Sequence, residues 1–120
     1  MIRGSCHCGA VSFELAADPE WLTECNCSIC RRLGTLWAHA TIDDIKITCG
    51  EGATLAYVWG DQMLAFHTCK TCGCTTHWEN LHPEGPDTRM AVNGRMADPA
   101  DVRDLPVRRF DGAETWQFLD

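Results

Sequence analysis

The nine cysteines of this 120-residue chain constrain its fold more than any other feature. Eight of them fall in three short groups, and an odd total cannot be paired completely in intramolecular disulfides. The amino-terminal sequence MIRGSCHCGAVSF lacks the apolar segment of a signal peptide, so we expect a cytoplasmic protein with reduced thiols. Clustered, reduced cysteines indicate metal binding in preference to disulfides.

Two of the cysteine groups together predict a closed structural zinc site. Structural zinc takes four ligands, usually thiolates or imidazoles, in a tetrahedron. Cys69 and Cys72 form a Cys-x-x-Cys turn, and Gly73 after it lets backbone N–H groups turn toward the sulfurs. Cys6 and Cys8 form a Cys-x-Cys pair that can complete the ligand set. A zinc ion held by these four thiolates would tie the amino terminus to a late hairpin and contribute folding free energy.

The middle group, Cys25, Cys27 and Cys30, predicts a different kind of site. Three protein ligands and one open position are the pattern of a catalytic zinc site. One or two helical turns are predicted over residues 28–33, ended by Gly34. They would place the last two of these cysteines at a helix amino terminus, which favours thiolate. The alternative is a second structural zinc site closed by a His or an Asp.

The remaining cysteines and most histidines are not needed as ligands. We expect Cys49 to be a small buried apolar residue and Cys74 to be redundant beside the Cys-x-x-Cys pair. His7 lies between two predicted ligands and must point away from their site. Three further histidines fall in predicted strands and are expected to be core or surface residues there: His39, His67 and His77.

Three residues near the middle group are candidates for substrate contacts. Arg31 and Arg32 directly follow Cys30, where they either face solvent or anchor an anionic substrate. Trp37 lies seven residues after Cys30 and either packs in the core or forms a wall of the active site.

Size and charge exclude several classes of protein. A chain of this length buries one core, so we predict a single zinc-binding domain over residues 1–120. The net charge is −7, from 10 Lys and Arg against 17 Asp and Glu, and the basic residues form only pairs. This balance argues against nucleic acid and acidic membranes as partners. No apolar stretch approaches the length of a transmembrane helix.

The remaining pattern predicts a mainly β fold with short sheets and one or two short helices. Val11, Phe13 and Leu15 alternate with polar residues, as in a half-buried strand. Asp98 and Pro99 mark the start of a short helix, which Pro106 ends. A hairpin is predicted about Gly60-Asp61, and a loop is predicted over residues 80–87. The other predicted strands cover residues 36–42, 45–49, 55–59, 63–68, 75–78 and 89–92.

The motifs together resemble one known family. They are Gly4-Ser5-Cys6-His7-Cys8-Gly9-Ala10-Val11, Cys25-Asn26-Cys27-Ser28-Ile29-Cys30-Arg31-Arg32 and His67-Thr68-Cys69-Lys70-Thr71-Cys72-Gly73-Cys74. In this order they resemble the glutathione-dependent formaldehyde-activating enzymes, which share their domain type with centromere protein V. The stretches Val92-Asn93-Gly94-Arg95 and Val107-Arg108-Arg109-Phe110-Asp111-Gly112 are similar to the carboxy-terminal part of the family.

The resemblance implies a zinc-bearing β domain of the β-tent type with two zinc ions per chain. It implies a structural zinc at Cys6, Cys8, Cys69 and Cys72, and a catalytic zinc at Cys25, Cys27 and Cys30, which matches the grouping by spacing. The implied activity is that of a carbon–sulfur lyase, in which formaldehyde and glutathione combine to S-hydroxymethylglutathione. The implied partner is a small-molecule thiol or thiol adduct.

Three functional hypotheses follow from the sequence. The first is a zinc-dependent carbon–sulfur lyase acting on a thiol adduct, with glutathione among the candidate thiols. The second is a non-catalytic zinc module that binds a protein partner, which predicts a closed middle site or an exposed apolar patch beside it. The third is a redox sensor that uses Cys49 or Cys74 as a reactive thiol.

Overall fold

The computed structural model describes all residues from 1 to 120 and confirms a mainly β fold with two short helices. The helices are α1 (Cys30–Leu33) and α2 (Pro99–Val102). The ten strands, in chain order, are β1 (Ile2–Ser5), β2 (Val11–Leu15), β3 (Leu22–Cys25), β4 (Trp37–Thr41), β5 (Ile45–Cys49), β6 (Thr54–Val58), β7 (Leu64–Cys69), β8 (Thr75–Asn80), β9 (Arg89–Asn93) and β10 (Val107–Phe110).

The smaller sheet has three antiparallel strands in the order β1-β2-β5. The predicted alternation in β2 is confirmed, because Val11, Phe13 and Leu15 are buried while Glu14 is exposed. Strand β5 follows the predicted 45–49 segment and pairs with β2 along its whole length. The buried face of this sheet therefore contributes large apolar side chains to the core.

The larger sheet has seven strands in the order β10-β3-β4-β9-β8-β7-β6. The predicted hairpin about Gly60-Asp61 is confirmed as the antiparallel pair β6–β7. Strands β8 and β9 match the predicted segments, although β8 continues to Asn80, the first residue of the predicted loop. One pairing is parallel: β10 lies beside β3, with Phe110 opposite Cys25.

Both helices begin and end for local reasons. Helix α1 is shorter than the predicted 28–33 segment and ends at Gly34, whose left-handed conformation (φ 68°) lets its N–H donate to the Cys30 carbonyl. Helix α2 begins where predicted, and the Asp98 carboxylate accepts from the N–H of Ala100, but the helix ends at Val102, before the predicted stop at Pro106. Neither helix has the length or the apolar character needed to cross a membrane.

Three strands were not predicted. Strands β1, β3 and β10 are short, and each carries charged or otherwise polar residues that break the apolar alternation. Pairing satisfies their backbone groups: β1 pairs with the next strand, β2, whereas β3 and β10 pair with each other across most of the chain. Both sheets contribute side chains to the main core, and Phe13, Trp37 and Phe66 are among the largest of them.

Candidate metal centres

The first candidate metal centre brings four cysteines from distant parts of the chain together. Cys6 and Cys8 lie in the turn between β1 and β2, and Cys69 and Cys72 lie at the turn after β7. Their sulfurs are all within 4.8 Å of one another, and two measured pairs are 3.7 Å (Cys6–Cys8) and 3.6 Å (Cys8–Cys69) apart. Sulfurs about 2.3 Å from a tetrahedral zinc ion lie about 3.8 Å apart, so this donor set fits zinc.

The backbone around this cluster favours thiolate. The N–H of Val11 donates to the Cys6 sulfur at 3.3 Å. Backbone N–H groups of Cys8 and Cys74 lower the pKa of Cys72 to about 5. Gly73 has a φ of 78°, the left-handed conformation that this turn requires. The peptide dipoles therefore stabilise the charged form that a metal ligand needs.

The second candidate centre brings together the three cysteines of the middle group. Cys25 ends β3, Cys27 lies in the following loop and Cys30 begins α1, and their three sulfurs are within 4.8 Å of one another. The predicted position at the start of a helix is confirmed for Cys30, whereas Cys27 lies in the loop before α1, where its sulfur accepts from the N–H of Cys30 at 3.4 Å. No His, Asp or Glu completes this cluster at the same spacing.

Hydrogen bonds distinguish the sulfurs of the second cluster from one another. The indole Nε1–H of Trp37 donates to the Cys30 sulfur at 3.3 Å. A hydrogen bond from the Cys30 thiol to Cys25 lowers the pKa of Cys25 to about 6 and raises the pKa of Cys30. Backbone N–H groups of Cys27 and Gly112 add to the stabilisation of the Cys25 thiolate.

The segment after β10 forms one side of the second cluster. A Cβ on Gly112 would lie 2.7 Å from the Cys25 sulfur and 3.2 Å from Cβ of Cys27, so only glycine fits there. Asp111 is buried and accepts from the side chain of Asn26 at 3.0 Å, and the Asn26 side-chain oxygen accepts from the backbone N–H of Ala113. The cysteine loop and the carboxy-terminal segment therefore hold each other in place.

The second cluster faces a cavity of about 510 Å³, a volume typical of small-molecule sites. Trp37 lies in the wall of this cavity and is only 2% exposed. Arg31 and Arg32 are exposed and lie outside the lining, and Arg32 donates to the Ser28 carbonyl at 2.7 Å. The lining is mostly apolar and aromatic, and besides the three cysteines and Trp37 it includes Thr23, Ile29, His39, Trp59, Leu64, Phe66, Trp78, Phe110, Gly112 and Trp116.

The cysteines and histidines outside the two clusters lie close to where the sequence placed them, with one correction. Cys49 was expected to be buried, but it ends an outer strand of the smaller sheet and is exposed. Cys74 is half-buried against the four-cysteine cluster without belonging to it. His7 is exposed and also lies outside that cluster. The three strand histidines lie in β4, β7 and β8 as predicted.

Sequence reasoning missed part of the site. It did not identify Phe110, Gly112, Trp59 or Trp116 as neighbours of the middle cysteines. The similarity of the 107–112 stretch to a family motif was the one available signal, because a glycine there is consistent with a close approach of the backbone to another group.

The fold and the two clusters define a mainly β protein with two thiol centres that can each bind a metal ion, one of them beside a cavity. The model of the family described as "Glutathione-dependent formaldehyde-activating enzyme" matches residues 1–107, so the chain belongs to this family. A crystal structure of a protein from Rhodobacter sphaeroides is similar, with 31% sequence identity and a TM-score of 0.64. That match covers 88% of this chain and 98% of the other.

Proposed function

We propose that this protein is a zinc-dependent carbon–sulfur lyase that forms or cleaves a thiol adduct, with S-hydroxymethylglutathione as the leading candidate. The observation that carries the proposal is a cluster of three thiols, without a fourth side-chain ligand, in the wall of a cavity of about 510 Å³. The family description names glutathione and formaldehyde, and it supports this choice of substrates.

The proposal gives the two clusters different roles within one domain over residues 1–120. The first would hold a structural zinc ion through Cys6, Cys8, Cys69 and Cys72. The second would hold a catalytic zinc ion through Cys25, Cys27 and Cys30. A zinc ion bound there would lower the pKa of a substrate thiol and so supply a thiolate near neutral pH. Thiols stay reduced in the cytoplasm, so these ligand roles are compatible with the expected cytoplasmic location.

The protein's own groups would orient the reactants. Trp37 fixes Cys30 through its indole N–H, and the aromatic walls of the cavity exclude water from the adduct. In the forward reaction the sulfur bonds to the aldehyde carbon, the C=O π bond opens, and the thiol proton ends on the oxygen. The reverse reaction releases free thiol and aldehyde with the same balance of atoms.

Exchange NMR of formaldehyde with glutathione tests the proposal. Zinc-loaded protein should accelerate the exchange, and Cys27→Ser should abolish the acceleration while lowering bound zinc from two ions to one. Cys49→Ser is the matched control, because this cysteine is exposed and lies outside both clusters. Absence of acceleration by the wild type, or equal acceleration by Cys27→Ser, would refute the formaldehyde reaction.

A non-catalytic zinc module that binds a protein partner is the second candidate. The observation in its favour is the exposed aromatic rim of the cavity, where Trp59 is 45% and Trp116 is 71% exposed. Large exposed aromatic side chains are typical of protein interfaces. This candidate predicts that Trp59→Ala and Trp116→Ala abolish capture of a partner while no thiol exchange is accelerated.

Arg31 and Arg32 stay predictions as anchors for an anionic substrate. Their exposure and their position directly after Cys30 are compatible with contact to a ligand that extends beyond the cavity. Replacing both by Gln should raise the KM for glutathione if they have this role.

A further inference from the structure

A second cavity of about 630 Å³ adjoins the cavity of the three-cysteine cluster. The two cavities lie side by side, and we refer to them together as the cleft. They share four lining residues: Thr23, His39, Phe110 and Trp116. The second cavity differs in character because it is lined by charged side chains, among them Glu20 and Arg89. None of the predicted zinc ligands lies in it.

The register of the large sheet gives the distance between the ends of this cleft. Trp37 donates a hydrogen bond to the Cys30 sulfur and so marks one end of the cleft. His39 lies on the same face of β4 as Trp37, because side chains alternate along a strand. Arg89 pairs with Thr41, four residues beyond Trp37, and so lies on that face as well. Four residues of strand correspond to about 13 Å.

Arg89 brings an uncompensated positive charge to the second cavity. Its side chain is exposed and makes none of the ion pairs of the protein. Arg108, by contrast, donates twice to the Asp120 carboxylate. Arg89 and His39 both line this cavity, and burial together with the nearby charge of Arg89 lowers the pKa of His39 to about 4.

The acidic residues of the second cavity are not equivalent. Asp18 forms an ion pair with the amino terminus of Met1, whereas Glu20 has no ion-pair partner. The cavity therefore offers one free cation and one free anion. This pair of charges is complementary to an α-amino-acid group, which carries a carboxylate and an ammonium.

We propose that the second cavity binds the α-amino-acid end of a peptide thiol, with Arg89 on its carboxylate and Glu20 on its ammonium. The thiol of the same molecule would then reach the three-cysteine cluster, a step that rests on the proposed function. An extended peptide of three residues spans about 10 Å, and the γ-glutamyl arm of glutathione alone, from its α-carbon to the cysteine sulfur, spans roughly 8–9 Å. This arm and the reach of the arginine side chain together cover the cleft. Trp21 and Trp116 provide apolar walls along the way.

The kinetic test compares Arg89→Gln with the wild type on two thiols. For glutathione the KM should rise at least about tenfold, as expected for loss of a charge-assisted hydrogen bond, while kcat changes little. For 2-mercaptoethanol, which has no carboxylate, both constants should stay unchanged. Arg103→Gln is the control, because Arg103 is an exposed arginine at the end of α2, outside both cavities.

Glu20→Gln tests the ammonium contact separately. It should raise the KM for glutathione but not for N-acetylglutathione, whose nitrogen carries no charge. An equal effect on both thiols, or none on either, would overturn the assignment of Glu20.

A binding measurement separates this inference from the proposed function. If wild-type protein accelerates glutathione exchange and Arg89→Gln leaves the KM unchanged, the inference is wrong and the lyase proposal stands. If the wild type accelerates no thiol exchange, titration with S-methylglutathione decides. Binding that weakens at least about tenfold in Arg89→Gln supports the inference, whereas equal binding or no binding overturns it.

Discussion

At the scale of single residues, Gly112 connects the carboxy-terminal segment to the second cluster. We predict that Gly112→Ala weakens zinc binding at the three-cysteine cluster by at least tenfold, roughly the loss seen when groups behind metal ligands are changed. The reason is steric, because the added Cβ would lie 2.7 Å from the Cys25 sulfur. Competition with a zinc chelator measures the affinity. Gly50→Ala should have no effect, since nothing lies within 4 Å of a Cβ at that position.

Trp37 has a role in the site that its burial alone does not reveal. We predict that Trp37→Phe lowers zinc affinity of the second cluster about tenfold, because the Cys30 sulfur loses its 3.3 Å hydrogen bond from the indole. Trp78→Phe serves as the packing control, since Trp78 is also buried in the same cavity wall but does not bond a cysteine. An equal loss of affinity in both variants would contradict a specific role for the hydrogen bond.

At the scale of elements, neighbouring strands β7 and β8 carry a stacked pair of histidines. The rings of His67 and His77 are 4.5 Å apart, and Thr54 and Glu79 bond the two ring nitrogens of His67. His77 is 5% exposed, and burial, aided by the charge of His67, lowers its pKa from 6.5 to about 3. The folded strand therefore holds a neutral imidazole at a pH where the unfolded chain binds a proton.

The difference in the pKa of His77 between the folded and the unfolded chain determines how stability changes with pH. Between pH 6.5 and about 3, His77 is protonated in the unfolded chain but neutral in the folded protein. The unfolded chain therefore binds one more proton, and the free energy of unfolding falls as the pH falls. One such proton contributes a slope of about 1.4 kcal/mol per pH unit. Nitrogen-15 NMR of the imidazoles should show His77 still neutral at pH 4.5. Protonation of His77 above about pH 5 would contradict the effect of burial.

The sequence predicted those strands and helices whose own residues carry a signal, such as alternating burial, a turn or a helix cap. Strand β2 was recognisable because its alternation matches one buried face, and the β6–β7 hairpin because a Gly-Asp turn separates two apolar stretches. The start of α2 was recognisable because Asp98 caps it. Strand β3 has no such signal: its sequence is Leu-Thr-Glu-Cys, and the only strand that pairs with it along its whole length is β10, far away in the chain.

The same distinction applies to the candidate site. Cysteine spacing predicted both clusters, because each ligand group lies within one short turn. Three of the residues around the second cluster, Phe110, Gly112 and Trp116, come from β10 and the segment after it, more than 80 residues beyond Asn26. Parallel pairing between β10 and β3 creates this contact, and no local pattern encodes the partner of a strand.

At the scale of the whole molecule, the two clusters occupy different places in the architecture. The four-cysteine cluster joins the β1–β2 turn of the smaller sheet to the β7–β8 turn of the larger one. The three-cysteine cluster lies within the larger sheet and its adjoining segments, beside the cleft. Loss of the first should therefore separate the two sheets, whereas loss of the second should affect mainly the cleft.

Thermal and urea unfolding of two matched variants tests this division. Cys69→Ser removes the sulfur of a residue that is 1% exposed. It should lower the free energy of unfolding by about 4 kcal/mol or more, as expected for loss of a structural metal. Cys27→Ser should cost much less, because Cys27 is only partly buried at the cleft. Chelator should destabilise the wild type strongly and Cys69→Ser only slightly. Equal losses from the two substitutions would show that neither cluster is specifically structural.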